Sequence, residues 1–142
     1  MKLSAGILVY KGSTVFLVHP SGPFDKGTQK WVIPKGETEE GENLWNAAVR
    51  EWEEETGDTI KTDNYFDLGQ LTRSGKKIHI FAVEQDAQWK FSNKFDFVFK
   101  NGTKRTFYET DSGQWFSFEE AFKVLPKNQK DFIQRLQEKL NI

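Results

Sequence analysis

Between Gly36 and Gly57 the chain reads GETEEGENLWNAAVREWEEETG, and no other stretch limits the fold as strongly. Asn43 is a residue that caps helices, and Gly57 suits the left-handed position that ends one, so the stretch predicts a helix over 44–56. Trp45, Ala48, Val49 and Trp52 recur at helical spacing and form an apolar stripe. Glu51, Glu54 and Glu55 stand at i, i+3 and i+4, which gathers three carboxylates on one face. Such a helix can pack its stripe on a sheet while showing its acids to a cleft. Like charges crowded on one face repel in water, and oxygen-rich groups of this kind suit hard divalent cations such as Mg2+ or Mn2+. A turn of Pro34, Lys35 and Gly36 stands directly ahead, and Gly turns, Lys and Mg2+ together point to phosphate chemistry. Alone, the run EWEEE reads as a solvated acidic helix face; its surroundings change that reading.

The segment resembles the Nudix box, G-x5-E-x7-R-E-U-x-E-E-x-G-U, where U is a bulky aliphatic residue. Gly36, Glu42, Arg50, Glu51, Glu54, Glu55 and Gly57 fill every fixed position. A chance match in a chain of this size has odds of about one in a million. Two U positions depart from the pattern: Trp52 is aromatic and Asp58 is polar. Both bear on local packing rather than on chemistry. The resemblance implies an α+β fold, an α/β/α sandwich with a mixed β-sheet between the box helix and a C-terminal helix, as one Nudix hydrolase domain over residues 1–142. It implies Mg2+-dependent hydrolysis, with Mn2+ as a substitute, of a pyrophosphate bond in a nucleoside diphosphate linked to some group X. Glu51, Glu54 and Glu55 are then the expected metal ligands, joined by the backbone carbonyl of Gly36. In similar enzymes the lysine at Lys35 meets substrate, and Arg50 orients Glu51.

Composition narrows the partners. Charged residues make up 29% of the 142, yet the net charge is −1, which argues against broad capture of nucleic acid or an acidic membrane. The absence of cysteine excludes disulfides, thiolate zinc sites and a cysteine nucleophile, and is compatible with a cytoplasmic setting. The apolar run of MKLSAGILVYKG is too short for a signal peptide or a membrane helix and reads as the first strand. Further strands are expected at 14–19, 31–33, 65–72, 77–83 and 114–116, with a hairpin of 95–99 and 106–108 around Asn101-Gly102. Residues 20–30 read as a Pro/Gly loop. Ser117, with Glu120, forms a capping box for a helix over 118–124, and the last helix is expected over 127–140.

Other residues complete the expected site. Glu42 and Arg50, eight residues apart, are expected to bridge and so fix the loop from Gly36 to Glu42; the competing pair is Arg50 with Glu54 at i,i+4. Glu51, Glu54, Arg50 and Glu109 are the candidate catalytic residues. The general base stays open between a box glutamate and Glu109, which precedes Trp115 as in several Nudix enzymes, with Asp111 as a competitor. Lys76 and Lys77 open a strand and are candidates for distal phosphates; Phe24, Trp31 and Phe107 are candidates for stacking on a base. His19 and His79 are expected to be hydrogen-bonded rather than metal-binding. Lysines near a cleft favour long polyphosphate chains, so the expected substrates are dinucleoside polyphosphates or nucleoside triphosphates, damaged ones included. Small bacterial nucleotide pyrophosphohydrolases and diadenosine tetraphosphate hydrolases are the branches resembled. The alternative is a non-catalytic Nudix-fold nucleotide-sensing module, a kind that usually loses box carboxylates.

Overall fold

The computed structural model describes residues 2–21 and 30–142. The run from Ala5 to Tyr10 of β1 (Lys2–Lys11) is buried without a break, so both faces of the strand are covered: Ala5, Ile7 and Val9 on one side, Leu8 and Tyr10 on the other. A central strand needs cover above and below, and the helices supply it. The sheet runs β4 (Phe66–Arg73), β5 (Lys76–Glu84), β1, β2 (Thr14–Pro20), β8 (Thr110–Ser117), and β3 (Lys35–Glu37) pairs with β1. It is mixed: β1 and β5 are parallel, while the other pairs are antiparallel.

Helix α1 (Leu44–Thr56) covers one face. Its buried Ala47, Ala48 and Trp52 meet Ala5, Ile7, Val9, Phe16 and Phe81, with Trp45 and Val49 packed at the margin. Helix α3 (Lys130–Leu140) covers the other face with Phe132, Ile133 and Leu136, beside α2 (Phe118–Val124). Ser117 and Glu120 form the expected capping box of α2. The hairpin of β6 (Lys94–Val98) and β7 (Lys104–Tyr108) forms a separate two-stranded sheet.

Three expectations about elements are corrected. Residues 31–33 are not a strand; only Val32 bridges, to Val18, and the short strand lies at Lys35–Glu37, where Gly36 pairs with Ala5. The strand expected at 114–116 begins at Thr110, because β2 offers partners along its whole length. The last helix starts at Lys130 rather than 127, since Pro126 accepts a turn hydrogen bond from Gln129.

Both ends of α1 explain why it stops where it does. The Asn43 side chain accepts from the N–H groups of Trp45 (2.9 Å) and Asn46 (3.2 Å), supplying partners that the first turn lacks. At the other end Gly57 adopts φ 73°, and a Cβ there would lie 2.8 Å from the Phe91 ring. The four carbonyls of the last turn are all satisfied: Glu53 by Gly57 N–H, Glu54 by Asn93 N–H, Glu55 by the Thr110 hydroxyl, and Thr56 by the N–H groups of Lys90 and Phe91. Residues 89–93 thus run as a strap across the end of the helix. Asp58, the polar departure from the box, is buried and anchors this strap by accepting from Gln88 N–H (3.1 Å) with Lys90 3.9 Å away.

Candidate functional site

Glu51 and Glu55 are buried on the side of α1 that meets β3 and the start of β8. Gly36 faces Glu51 so closely that a Cβ would overlap the carboxylate oxygens, which is the physical reason for glycine at this point of β3. Glu109 enters from the junction of β7 and β8. One carboxylate oxygen from each of Glu51, Glu55 and Glu109 lies within 4.8 Å of the others, a spacing that one cation can span.

The electrostatics follow from that crowding. Burial, reinforced by the charges of Glu51 and Glu109, holds the Glu55 carboxyl well above the usual range, with Lys35 offsetting part of the effect. Burial and the Glu54 charge raise Glu51, and the two buried carboxyls share a hydrogen bond. Burial, then Glu51 and Glu54, push Glu109 up to about 7. Groups that hold protons against their own chemistry in this way are ones a divalent cation would relieve. The donor set, three carboxylate oxygens with no nitrogen or sulfur, fits a hard cation.

Glu54 stays outside this triad. It sits at the rim, where Arg50 Nη1 donates to its two oxygens at 3.3 and 3.4 Å. Arg50 also donates from Nε and Nη2 to the two oxygens of Glu42 (2.9 and 3.0 Å), from Nη1 to Glu51 (3.0 Å), and from Nη2 to the Glu37 carbonyl (3.2 Å). One guanidinium therefore makes both pairs considered from the sequence, Glu42 and Glu54, and pins the loop after β3 to the helix. Glu42 in turn accepts from the Glu39 N–H at 2.9 Å.

The remaining candidates scatter. Lys35, on β3, is close enough to Glu55 to act on its charge. Lys77 opens β5 opposite Leu3, so β1 lies between it and Gly36, and no ion pair of the described residues joins it to the carboxylates. Trp31 packs edge-on to His19 (5.2 Å) and Phe116 (5.1 Å), against the core beneath α2 and α3. Phe107 packs within the separate hairpin against Phe95 (6.0 Å) and under Arg105. Phe24 lies outside the described residues. Asp111, the competitor of Glu109, is paired with His19 Nδ1 at 3.0 Å, and His79 with Asp67 at 2.7 Å. Phe91, 57% exposed, was not singled out by any sequence signal; it forms one wall of a cleft of about 480 Å³ shared with Arg50, Glu54 and Asn93.

This arrangement has counterparts. The sequence matches the NUDIX domain family over residues 1–136. It is 31% identical over 135 residues to "Nudix hydrolase 6" of Arabidopsis thaliana, an alignment covering 90% of this chain and 42% of that protein, so the chain spans less than half the relative's length. Among solved structures, a Caenorhabditis elegans Ap4A hydrolase binary complex superposes with a TM-score of 0.63 at 21% identity, covering 99% of this chain and 98% of that one. The MutT protein of Methanosarcina mazei Go1 superposes with a TM-score of 0.66 at 21% identity, over 99% and 96% of the two chains. These two share the fold. A glycine seated on the first carboxylate, an arginine binding three glutamates, and a domain-length match to the family lead to one assignment: the chain belongs to the Nudix family.

Proposed function

We propose that the chain hydrolyses a pyrophosphate bond in a nucleoside diphosphate linked to a further group, with Mg2+ or Mn2+ as cofactor. The observation that carries this reading is the meeting of Glu51, Glu55 and Glu109 within 4.8 Å, from a helix and a distant strand end, beside Gly36 and Lys35. A divalent cation held there would neutralise phosphate oxygens and acidify a water molecule. Glu51, Glu55 and Glu109 would hold it. Arg50 is consumed by carboxylates, so its work is orientation: it aims Glu51 and Glu54 and closes the loop through Glu42. Glu54, at the rim beside Arg50 and outside the triad, would take a proton from the attacking water. Lys35 supplies a cation on the side of β3 for phosphate.

Dinucleoside polyphosphates and nucleoside triphosphates, damaged ones included, are the substrates we favour. The cleft between α1 and Phe91 has room beside Glu54 for the group beyond the phosphates, and its exposed ring offers a stacking face. A cytoplasmic, cysteine-free enzyme acting on a soluble nucleotide fits the composition, and no described helix is long and apolar enough to cross a membrane.

The test is a panel of nucleoside triphosphates, oxidised guanine nucleotides, diadenosine polyphosphates, nucleotide sugars and triphosphorylated RNA, with Mg2+ and with Mn2+, read by product chromatography. One substrate turned over far faster than the rest identifies the linked group, and the products locate the broken bond. Glu54→Gln is expected to lower kcat by about 100-fold or more. Full turnover in excess chelator would overturn the reading, and tight nucleotide binding without turnover would assign the chain to sensing.

A further inference from the structure

We propose that Thr110 is a positioning residue for the metal centre: its hydroxyl clamps the strand end that bears Glu109 to the last turn of α1, so that Glu109 meets Glu51 and Glu55. The inference rests on the hydrolase reading above. Glu109 is more than fifty residues away in sequence from the glutamates it joins, so something must fix its approach. Thr110, the next residue, is 2% exposed. Its hydroxyl donates to the Glu55 carbonyl at 2.5 Å and accepts from the Trp89 indole N–H at 2.9 Å. That hydroxyl thus has a partner for its proton and one for a lone pair, which sets its direction.

The backbone is held as well. Thr110 N–H donates to the Ser92 hydroxyl (3.1 Å), which donates back to the Thr110 carbonyl (3.0 Å). Glu109 N–H donates to the Asn93 carbonyl (2.9 Å), and Asn93 N–H donates to the Glu54 carbonyl (2.8 Å). The Glu109 carbonyl accepts from Ser21 N–H at 3.1 Å. Two of the helix carbonyls used belong to Glu54 and Glu55 themselves. The helix end, whose carbonyls have no partner within the helix, serves as the docking point, and the residues that carry the acids also carry the anchors. Ser92, 4% exposed, and Trp89 hydrogen-bond to Thr110, and it is through Thr110 that they act.

The experiment compares Thr110→Val, which keeps shape and loses both hydroxyl bonds, with Thr110→Ser, which keeps them. Two readouts are taken on the full chain: Mn2+ binding alone, followed by electron paramagnetic resonance, and kcat and KM on the best substrate of the panel. Thr110→Val is expected to weaken Mn2+ binding about tenfold and to lower kcat by a similar factor while KM moves less than about twofold; Thr110→Ser restores both. In a Glu109→Gln background Thr110→Val should add no further loss of Mn2+ affinity, because the residue it positions is already gone. Undiminished Mn2+ affinity in Thr110→Val, or an equal loss in the Glu109→Gln background, overturns the proposal. If Thr110→Val does not fold, Ser92→Ala reads the same clamp: weaker Mn2+ binding at normal folding supports it, and unchanged binding overturns it. The Mn2+ readout needs no turnover, so failure of the clamp is distinguishable from failure of the hydrolase reading.

Discussion

The Glu42 carboxylate receives two hydrogen bonds from one guanidinium, at 2.9 and 3.0 Å, and a third from the Glu39 N–H. All three favour the charged form, and they pull its pKa from an ordinary 4.5 down to about 2. The sign is that of a depressed acid: the stability it contributes is fully present above the unfolded value and is lost as pH falls through the folded one. Glu42→Gln should therefore melt below the native protein at neutral pH, with the gap closing between about pH 4.5 and pH 2. Thermal melts across that range check it; a gap that persists at the acid end would place the effect in packing instead. The pair was legible because a fixed spacing in the box joins a loop to a helix. The pairs with Glu51 and Glu54 were legible one at a time, from the resemblance and from i,i+4 spacing; that one guanidinium makes all three at once was not, since a single Arg satisfies several acids only in three dimensions.

At the scale of elements, α1 was readable in full because cap, stripe and terminal glycine agree with one another. The strap over 89–93 was invisible. It carries no periodicity, and its hydrogen bonds go to helix carbonyls rather than to a strand. Its one trace in the sequence was Asp58, an acid where the box has an aliphatic residue, and the structure gives that acid a Gln88 N–H and a lysine to hold. The error at 31–33 has a similar origin: three apolar residues suit a strand, but β1 pairs with Lys35–Glu37, where glycine lets the backbone approach Glu51. Gly57 is where helix and strap meet. Its φ of 73° and the 2.8 Å approach of Phe91 both oppose a side chain. Gly57→Ala should lower stability by about 1 kcal/mol or more, measured by denaturant unfolding, and should loosen the cleft wall formed by Phe91. An unchanged midpoint would mean that the strap can shift without cost. Phe91→Ala removes only the ring; it should raise KM for a nucleotide by several-fold while leaving kcat nearly intact, and an unchanged KM would move the base elsewhere.

For the whole molecule, a sheet covered on both faces leaves one place where α1, β3 and the start of β8 converge, and three acids from two distant parts of the chain are forced together there. The helix spacing put Glu51 and Glu55 together, and the sequence offered Glu109 as the outside candidate with Asp111 as its competitor; the tertiary structure brings Glu109 to the helix pair and leaves Asp111 to His19. With the proposed cation bound there, the convergence would make folding and metal binding one equilibrium. Glu51, Glu55 and Glu109 each have a pKa above their unfolded value, through burial first and the charge of neighbouring glutamates, Glu54 included, second. For a raised acid the stability is fully present below the unfolded pKa of 4.5 and is lost as pH rises through the folded value, which for Glu109 is about 7. This window lies above the one in which Glu42 acts, so the two effects separate along the pH axis. In chelator, the protein should melt at a lower temperature near pH 8 than near pH 5.5. A divalent cation favours the ionised acids, so its binding tightens as pH rises and its stabilisation grows in the same direction. Saturating Mg2+ should thus raise the melting temperature far more near pH 8 than near pH 5.5. Glu55→Gln should flatten the chelator profile, because the most buried of the three charges is gone, and should remove most of the Mg2+ response. A chelator profile that rises steadily from pH 5.5 to 8 would show that the three carboxylates do not share one desolvated site.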